Sequence, residues 1–193
     1  MIALGEGRLV VRDDAFSALL ALRTREVLAA WVDSGRMDPA GVGRQGVSSA
    51  IRRDLTTWVD AADPELADAF ALFDHLRRTL ADDLRLHLPR FAVQAACYRE
   101  GAYYRPHFDA FRGDPSRVVT AIWYLNPGWA ASDGGMLRGF EPDGPREVAP
   151  QLDRLVLFLS ERVEHEVLPA ARDRFALTAW FRGAETVPLL PDP

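Results

Sequence analysis

Residues 104–109 have the sequence Tyr104-Arg105-Pro106-His107-Phe108-Asp109, and a further histidine follows much later, at His165. Side chains two apart on a strand share a face, so we expect His107 and Asp109 to point together while Phe108 packs on the opposite side. Two imidazoles and one carboxylate leave part of an octahedral coordination sphere open, which is the ligand set of non-haem Fe(II) oxygenases. The pattern therefore predicts a metal site whose third ligand comes from a distant strand.

Short β-rich runs surround these ligands throughout the second half of the chain, and turn residues such as Asn126-Pro127-Gly128 separate them. The predicted strands lie at residues 91–98, 117–125, 136–140, 155–159, 165–168 and 175–181. Several short strands at this spacing indicate a sandwich or a barrel. A jelly roll is the arrangement that can bring His165 beside the earlier ligands.

Two helices and one short strand are predicted before these runs. The first helix begins at a cap formed by Asp13 and Asp14 and ends near Val32. A short strand follows at residues 56–59, and a second helix opens at Asp63-Pro64-Glu65 and is stopped by a proline at position 89. This order predicts the α+β class, mainly β, with a double-stranded β-helix (jelly-roll) core and N-terminal supporting helices.

The length of 193 residues, 48% of them apolar, predicts a single domain with a sizeable core. We expect residues 1–89 to supply helical support and a substrate loop, residues 90–183 the catalytic jelly roll, and residues 184–193 a tail. The Gly-rich loop at residues 41–49 is expected to close over the groove beside the metal.

Composition argues against several classes of partner. The formal net charge of −5 does not suit a surface that coats nucleic acid. No apolar run approaches the roughly 20 residues of a membrane helix, and the start of the sequence does not resemble a signal peptide. Cys97 is the sole cysteine, which fits a reducing compartment. We therefore expect a cytoplasmic protein with no nucleic-acid and no membrane partner.

A second pattern concerns an arginine at the start of the last predicted strand, Arg174-Phe175-Ala176-Leu177-Thr178-Ala179-Trp180-Phe181. The planar guanidinium of Arg174 suits bidentate contact with a carboxylate, and Thr178 falls on the same strand face. Tyr124 can donate its hydroxyl to the same carboxylate. Alternatively, Arg174 is a surface residue beside Asp173 and Tyr124 is a core aromatic. Together with the metal motif, the arginine favours 2-oxoglutarate as a co-substrate.

Beyond these residues the sequence resembles the prolyl 4-hydroxylases, most of all the hypoxia-inducible-factor prolyl hydroxylases and their bacterial relatives. The similarity includes residues 97–98, 101–109, 117–126, 134–138, 153–158, 165–169 and 174–181. It extends to Ile51-Arg52-Arg53-Asp54-Leu55-Thr56-Thr57-Trp58, which matches the subgroup's I-R-G-D-x-x-x-W stretch, except that Arg53 replaces the glycine.

The resemblance implies roles for three groups of residues. The Fe(II) ligands and catalytic centre are expected to be His107, Asp109 and His165. The residues expected to hold 2-oxoglutarate are Arg174, Tyr124, Tyr98 and Thr178. The residues expected beside the peptide groove are Arg52, Asp54, Arg117 and Trp180.

The activity implied by the resemblance is hydroxylation of a proline in a protein or peptide, with Fe(II), 2-oxoglutarate and O₂ required and ascorbate as a stimulant. Bacterial relatives act on a translation elongation factor, which makes such a factor a candidate partner. Three alternatives stay open at this point: a hydroxylase of a free amino acid or other small molecule, a zinc site built from the same ligands, and a non-catalytic metal-binding jelly roll.

Overall fold

The structure is a computed structural model, and it describes residues 2–41, 48–110 and 116–184. Residues 42–47 of the loop predicted to close over the groove lie outside the described residues, as do residues 185–193 of the predicted tail. Within the described ranges, the α-helices are α1 (Ile2–Gly5), α2 (Ala18–Asp33) and α3 (Ala67–Leu84). None of the helices in these ranges is long and apolar enough to cross a membrane.

The start of α2 differs from the prediction. Ser17 caps the helix, because its hydroxyl accepts the backbone N–H of Leu20. The predicted cap is wrong, since Asp13 instead forms an ion pair with Arg154 and Asp14 has a positive φ of 48°. The two aspartates therefore belong to the turn that precedes the helix.

The helix α3 begins as predicted and ends earlier. A 3₁₀ turn at Pro64–Leu66 leads into it, and the Asp63 side chain accepts the N–H of Glu65. The helix ends before Pro89 is reached, because Arg85 adopts a left-handed conformation with φ of 52°. A left-handed residue directly after the last turn is the common way for a helix to stop.

Eleven strands are found in the described part of the chain, and they form two sheets. The strands are β1 (Val10–Arg12), β2 (Asp38–Pro39), β3 (Leu55–Val59), β4 (Arg90–Tyr98), β5 (Tyr104–His107), β6 (Val119–Tyr124), β7 (Leu137–Glu141), β8 (Gly144–Val148), β9 (Leu155–Leu159), β10 (His165–Val167) and β11 (Arg174–Arg182). The major sheet has the order β1-β9-β6-β11-β4-β3-β2, and the minor sheet has the order β5-β10-β7-β8. The pairings are antiparallel, and the predicted jelly roll is confirmed.

The six strands predicted in the second half are all present. The strands that lie outside the predicted runs are β1, β2, β5 and β8, and each lies at an edge of its sheet. Edge strands are short and polar, so their alternation of apolar and polar residues is weak.

The core has two layers, one on each face of the major sheet. Cys97 and Trp123 point towards the helices, where they join a cluster with Phe73 of α3. Tyr98 and Tyr124, the next residues along their strands, point into a second cluster between the two sheets. Because side chains alternate along a strand, this inner layer is where the candidate site lies.

Candidate active site

Strand pairing brings the two histidines together. His107 ends β5, His165 begins β10, and the two residues are direct partners across this antiparallel pair. Their ring centroids are 4.3 Å apart. The Asp109 carboxylate completes the group, with Oδ1 3.7 Å from Nε2 of His107 and Oδ2 4.0 Å from Nε2 of His165. The three candidate donor atoms lie within 4.8 Å of one another, a spacing that one metal ion can bridge.

A β-bulge in β5 determines the direction in which the His107 side chain points. Tyr104 lies opposite Val167 and His107 lies opposite His165, so three steps along β5 match two steps along β10. The extra residue in β5 places Tyr104 and His107 on one face, where their rings stack with centroids 3.6 Å apart. Bulges often re-aim side chains beside functional sites, and here the bulge lies between Tyr104 and the candidate ligand His107.

Asp109 reaches the site in a different way from the prediction. It lies two residues beyond the end of β5, so the strand geometry expected for the His-x-Asp motif is wrong. The prediction that Phe108 packs on the opposite face is also wrong, because its side chain is 49% exposed. Strand alternation stops at His107, and the loop that follows turns the carboxylate inwards.

The hydrogen bonds of the two histidines indicate which ring nitrogen of each faces the site as a possible ligand. Nδ1 of His107 lies 2.8 Å from the Arg105 carbonyl oxygen, and Nδ1 of His165 lies 3.1 Å from that of Val163. A carbonyl oxygen can only accept, so in the neutral form of each ring Nδ1 carries the proton and Nε2 offers the lone pair. Burial, reinforced by the neighbouring His165, lowers the pKa of His107 to about 3, so His107 is neutral at physiological pH. Neutral imidazole is the form that binds metals.

The Asp109 carboxylate is ionised. Burial acts to raise its pKa, but the two neighbouring imidazoles, when they are protonated, and a hydrogen bond from Thr120 outweigh burial and lower the pKa. The donor set therefore consists of two imidazole nitrogens and one carboxylate oxygen, which fits Fe(II).

Arg174 is not the surface residue of the alternative interpretation. It begins β11 opposite Tyr98 and is only 2% exposed. Its Nε donates to the Gly135 carbonyl at 2.8 Å, and its guanidinium carbon lies 5.0 Å from the ring of Tyr98 and 4.8 Å from that of Tyr124. No carboxylate in the described part of the chain pairs with it. A buried guanidinium without an anion is costly, so the pocket fits an anionic ligand.

Gly135 makes room for this arginine. Its φ is 63°, and a Cβ there would meet the Trp129 side chain at 3.0 Å and Cδ of Arg174 at 3.2 Å. A larger residue would therefore displace the guanidinium from its place between the tyrosines.

The tyrosines beside Arg174 provide a second sign of a ligand. The Tyr124 hydroxyl is buried and has no hydrogen-bond partner among the described residues. Burial raises the pKa of Tyr124, an effect that Arg174 opposes, and burial raises the pKa of Tyr98 well above its usual value. Both phenols are therefore neutral donors at physiological pH. Thr178 is half-buried on the same face of β11 as Arg174.

The residues expected beside the peptide groove form two series of contacts. In the first, Asp54 holds Arg52 through two hydrogen bonds of 2.7 and 2.5 Å. The Arg52 guanidinium carbon lies 4.3 Å from the ring of Tyr104, which stacks on His107. This series therefore connects the predicted substrate side to a candidate metal ligand.

In the second series, Nη1 of Arg117 donates to the Asp109 carbonyl at 3.1 Å. The Arg117 guanidinium carbon lies 4.2 Å from the ring of Trp180, which contacts Trp58 with ring centroids 5.5 Å apart. Trp58 is half exposed, so this series ends at the surface. The residues predicted for the peptide groove thus connect to the candidate metal ligands through these two series of contacts.

Three contacts at the site were not predicted from the sequence. The Gly135 carbonyl accepts a hydrogen bond from Arg174, and the Thr120 hydroxyl donates one to Asp109. The Ser160 hydroxyl is in turn hydrogen-bonded to that of Thr120. Thr120 was visible only as a β-forming residue, and Ser160 only as the end of a strand. The one available signal was the position of Thr120, three residues after Arg117 in a strand that leads away from the motif.

A jelly roll that holds two imidazoles and a carboxylate close to a buried arginine defines the class of Fe(II)- and 2-oxoglutarate-dependent oxygenases. In agreement, residues 93–182 match the 2OG-Fe(II) oxygenase superfamily. The chain belongs to this superfamily and, within it, to the prolyl 4-hydroxylase family.

Several relatives support this assignment. A crystal structure of a Pseudomonas putida prolyl-4-hydroxylase is 39% identical with a TM-score of 0.82, covering 91% of this chain and 92% of that chain. A prolyl hydroxylase from Trichoplax adhaerens, in complex with a peptide fragment of the hypoxia-inducible factor oxygen degradation domain, is 26% identical with a TM-score of 0.86, covering 94% of this chain and 86% of that chain. Egl nine homolog 1 of Rattus norvegicus is 36% identical over 72% of this chain, which spans 44% of that relative's length.

Family membership decides the cofactors. The family needs Fe(II), 2-oxoglutarate and O₂, so the cofactors expected from the resemblance are confirmed and the zinc alternative loses its support. Stimulation by ascorbate stays a prediction.

Proposed function

We propose that this protein hydroxylates a proline in a protein or peptide. Fe(II) would be held by His107, Asp109 and His165, and the distal carboxylate of 2-oxoglutarate by Arg174 and Tyr124, with Tyr98 and Thr178 lining the pocket. The observation that carries the proposal is the pairing of an open three-ligand face with a buried arginine that lacks an anion and a buried tyrosine hydroxyl that lacks a partner.

When bound, Fe(II) with 2-oxoglutarate and O₂ supplies an oxidative decarboxylation that yields succinate and CO₂ and places one oxygen atom in a substrate C–H bond. The contribution of this chain is to bind and orient. Arg174 presents a planar, permanently charged fork to one carboxylate, and the tyrosine hydroxyls are placed to donate to the same group. The two aromatic rings that flank the guanidinium exclude water, which strengthens this ion pair.

The rim supports a polypeptide substrate over a free amino acid. Trp58 is half exposed and lies outward of Trp180. Arg52 also lies away from the metal ligands, because the Tyr104 ring lies between it and His107. A single amino acid bound at the metal would leave these outer residues uncovered, whereas an extended peptide would bury them. We therefore assign Arg52, Asp54, Arg117 and Trp180 to the substrate side.

The finer features follow from the same proposal. A translation elongation factor is a candidate target, by resemblance to the bacterial relatives. A cytoplasmic location fits Cys97, the sole cysteine, which is a buried thiol. We also propose that residues 1–193 form one domain, since both core clusters pack against the same major sheet.

The test is succinate formation from 2-oxoglutarate with Fe(II), with and without a set of proline peptides. We expect peptide to stimulate succinate formation and to gain one oxygen on proline, detected by fragment mass spectrometry. A lysate incubated with the protein, analysed in the same way, would then identify the target. Stimulation by free amino acids but by no peptide or lysate protein would replace this proposal with the small-molecule alternative. His75→Ala, which alters an exposed histidine on α3, is the matched control for the ligand variants.

A further inference from the structure

Two buried hydroxyls lie in series behind Asp109, the one of the three candidate ligands that lies outside the strands. The Thr120 hydroxyl lies 2.7 Å from Oδ2 of Asp109, and the Ser160 hydroxyl lies 2.8 Å from that of Thr120. Both residues are wholly buried. Thr120 belongs to β6 of the major sheet, and Ser160 directly follows β9, so the hydroxyls are fixed by neighbouring strands.

The direction of this pair follows from proton counting. A carboxylate that serves as a metal ligand is deprotonated and can only accept, so Thr120 must donate to Asp109. A hydroxyl has one proton, so Thr120 has none left for Ser160. Ser160 is therefore the donor of the second hydrogen bond. The order is Ser160 to Thr120 to Asp109, and each hydroxyl proton has a fixed acceptor.

Asp109 needs such support more than the histidines do. His107 and His165 are partners across a strand pair, and Nδ1 of each is hydrogen-bonded to a backbone carbonyl oxygen. Asp109 lies beyond β5, in a loop. Ser160 adds a backbone contact there, because its carbonyl accepts the N–H of Ala110 at 3.2 Å. The two strands of the major sheet thus reach across to the loop that carries the carboxylate.

We propose that Thr120, polarised by Ser160, is a positioning residue that reserves Oδ2 of Asp109 and leaves one carboxylate oxygen for the metal. This inference rests on the proposed function and deepens it. A carboxylate that bound through both oxygens would take a second position on the metal, which the co-substrate and O₂ require. Thr120 and Ser160 therefore keep the coordination sphere open as well as fixing the ligand.

The test measures metal binding without turnover, using Mn(II) in place of Fe(II) and equilibrium dialysis without co-substrate. Removing the partner of a metal ligand weakens affinity about 10- to 100-fold. We expect a loss of this size in Thr120→Val, which keeps the shape and removes the hydroxyl. Thr120→Ser should stay within about threefold of the parent. Ser160→Ala should lie between the two, because Thr120 can still donate.

A second measurement separates positioning from simple structural damage. The visible absorption of the Co(II)-loaded protein reports coordination number and geometry, and we expect Thr120→Val to change it and Thr120→Ser to preserve it. Thermal unfolding without metal shows whether each variant is folded. If Thr120→Val does not fold, the Mn(II) affinity and the Co(II) spectrum of Ser160→Ala test the inference in its place.

The outcomes are distinct. Parent-like Mn(II) affinity and a parent-like Co(II) spectrum in Thr120→Val would overturn this inference and leave the proposed function standing. Equal losses in Thr120→Ser and Thr120→Val would show that side-chain shape matters and the hydroxyl does not, which also overturns it. A parent protein that binds no Mn(II) or Co(II) would instead overturn the proposed function, and the inference with it.

Discussion

The deep pocket and the rim of this molecule differ in how far they extend towards solvent. The deep pocket comprises the metal-ligand group and Arg174 with its two tyrosines, all enclosed between the sheets. The rim comprises Arg52, Asp54, Trp58, Arg117 and Trp180, and it extends to half-exposed tryptophan at the surface. In the deep pocket, water is excluded and each charge interacts strongly with its partner. At the rim, the ion pair of Arg52 with Asp54 is buried as well, but Trp58 lies half in solvent.

The difference indicates a division of tasks. The reaction requires charges held rigidly in a dry pocket, whereas recognition of a polypeptide requires an accessible surface that can be covered. The two regions are joined by the Arg52–Tyr104–His107 and Trp180–Arg117–Asp109 contacts. If the division holds, variants in the deep pocket affect every turnover, and variants at the rim affect turnover only through the peptide.

The largest effect is expected from the metal ligands. His107→Ala, Asp109→Ala and His165→Ala should each abolish succinate formation with and without peptide, because two remaining donors cannot hold the metal in its open geometry. Thermal unfolding should show that each variant is folded, and His75→Ala should behave like the parent. An Asp109→Ala protein that binds metal normally and turns over 2-oxoglutarate at the parent rate would remove the basis of the deep pocket.

Arg174 should give the next largest effect. Arg174→Ala should raise the KM for 2-oxoglutarate a hundredfold or more, because loss of one partner of a buried charge pair costs roughly 3–5 kcal/mol. Metal affinity should be unchanged, since arginine is not a ligand. Arg174→Lys should recover only part of the loss, because an ammonium cannot make the bidentate contact. An unaltered KM in Arg174→Ala, measured by succinate formation, would contradict the co-substrate assignment.

The sequence predicted the deep pocket better than its supports. The ligand residues and Arg174 could be identified because few residue types bind metals or hold carboxylates, and their spacing in β-rich sequence is distinctive. The burial of Arg174, which decides between the two interpretations of it, depends on the glycine turn before β7 and was not visible. Likewise, no local pattern distinguishes the Thr120 hydroxyl from that of any other strand threonine.

Geometry was predicted less well than identity. The His-x-Asp spacing suggested one continuous strand, yet β5 contains a bulge and ends at His107. Pairing with β10 sets that bulge, and pairing partners are non-local information. The edge strands and the cap of α2 were missed for a related reason, since tertiary contacts such as the ion pair between Asp13 and Arg154 override local preference.

At the rim, Trp58 should affect only the peptide. Trp58→Ala should raise the KM for a proline peptide roughly tenfold, about 1.4 kcal/mol, because the half-exposed ring would otherwise be buried by the bound chain. The KM for 2-oxoglutarate and the peptide-independent succinate rate should not change. Leu19→Ala, which alters an exposed apolar residue on α2, is the matched control. If Trp58→Ala changed the 2-oxoglutarate KM as strongly as the peptide KM, the division between the regions would be wrong.

The variant of Cys97 should give the smallest effect, and it tests the face of β4 that is opposite Tyr98. It is fully buried among the residues that pack against the helices, whereas its neighbour Tyr98 points into the deep pocket. Cys97→Ala should therefore keep the parent KM values and lose roughly 1 kcal/mol of unfolding free energy, measured by urea denaturation. Burial raises the pKa of the thiol to about 12, so the folded parent should also resist alkylation at neutral pH and react once it is unfolded. A folded Cys97→Ala protein without activity would mean that the two faces of β4 are coupled, and the deep pocket would then extend through the major sheet.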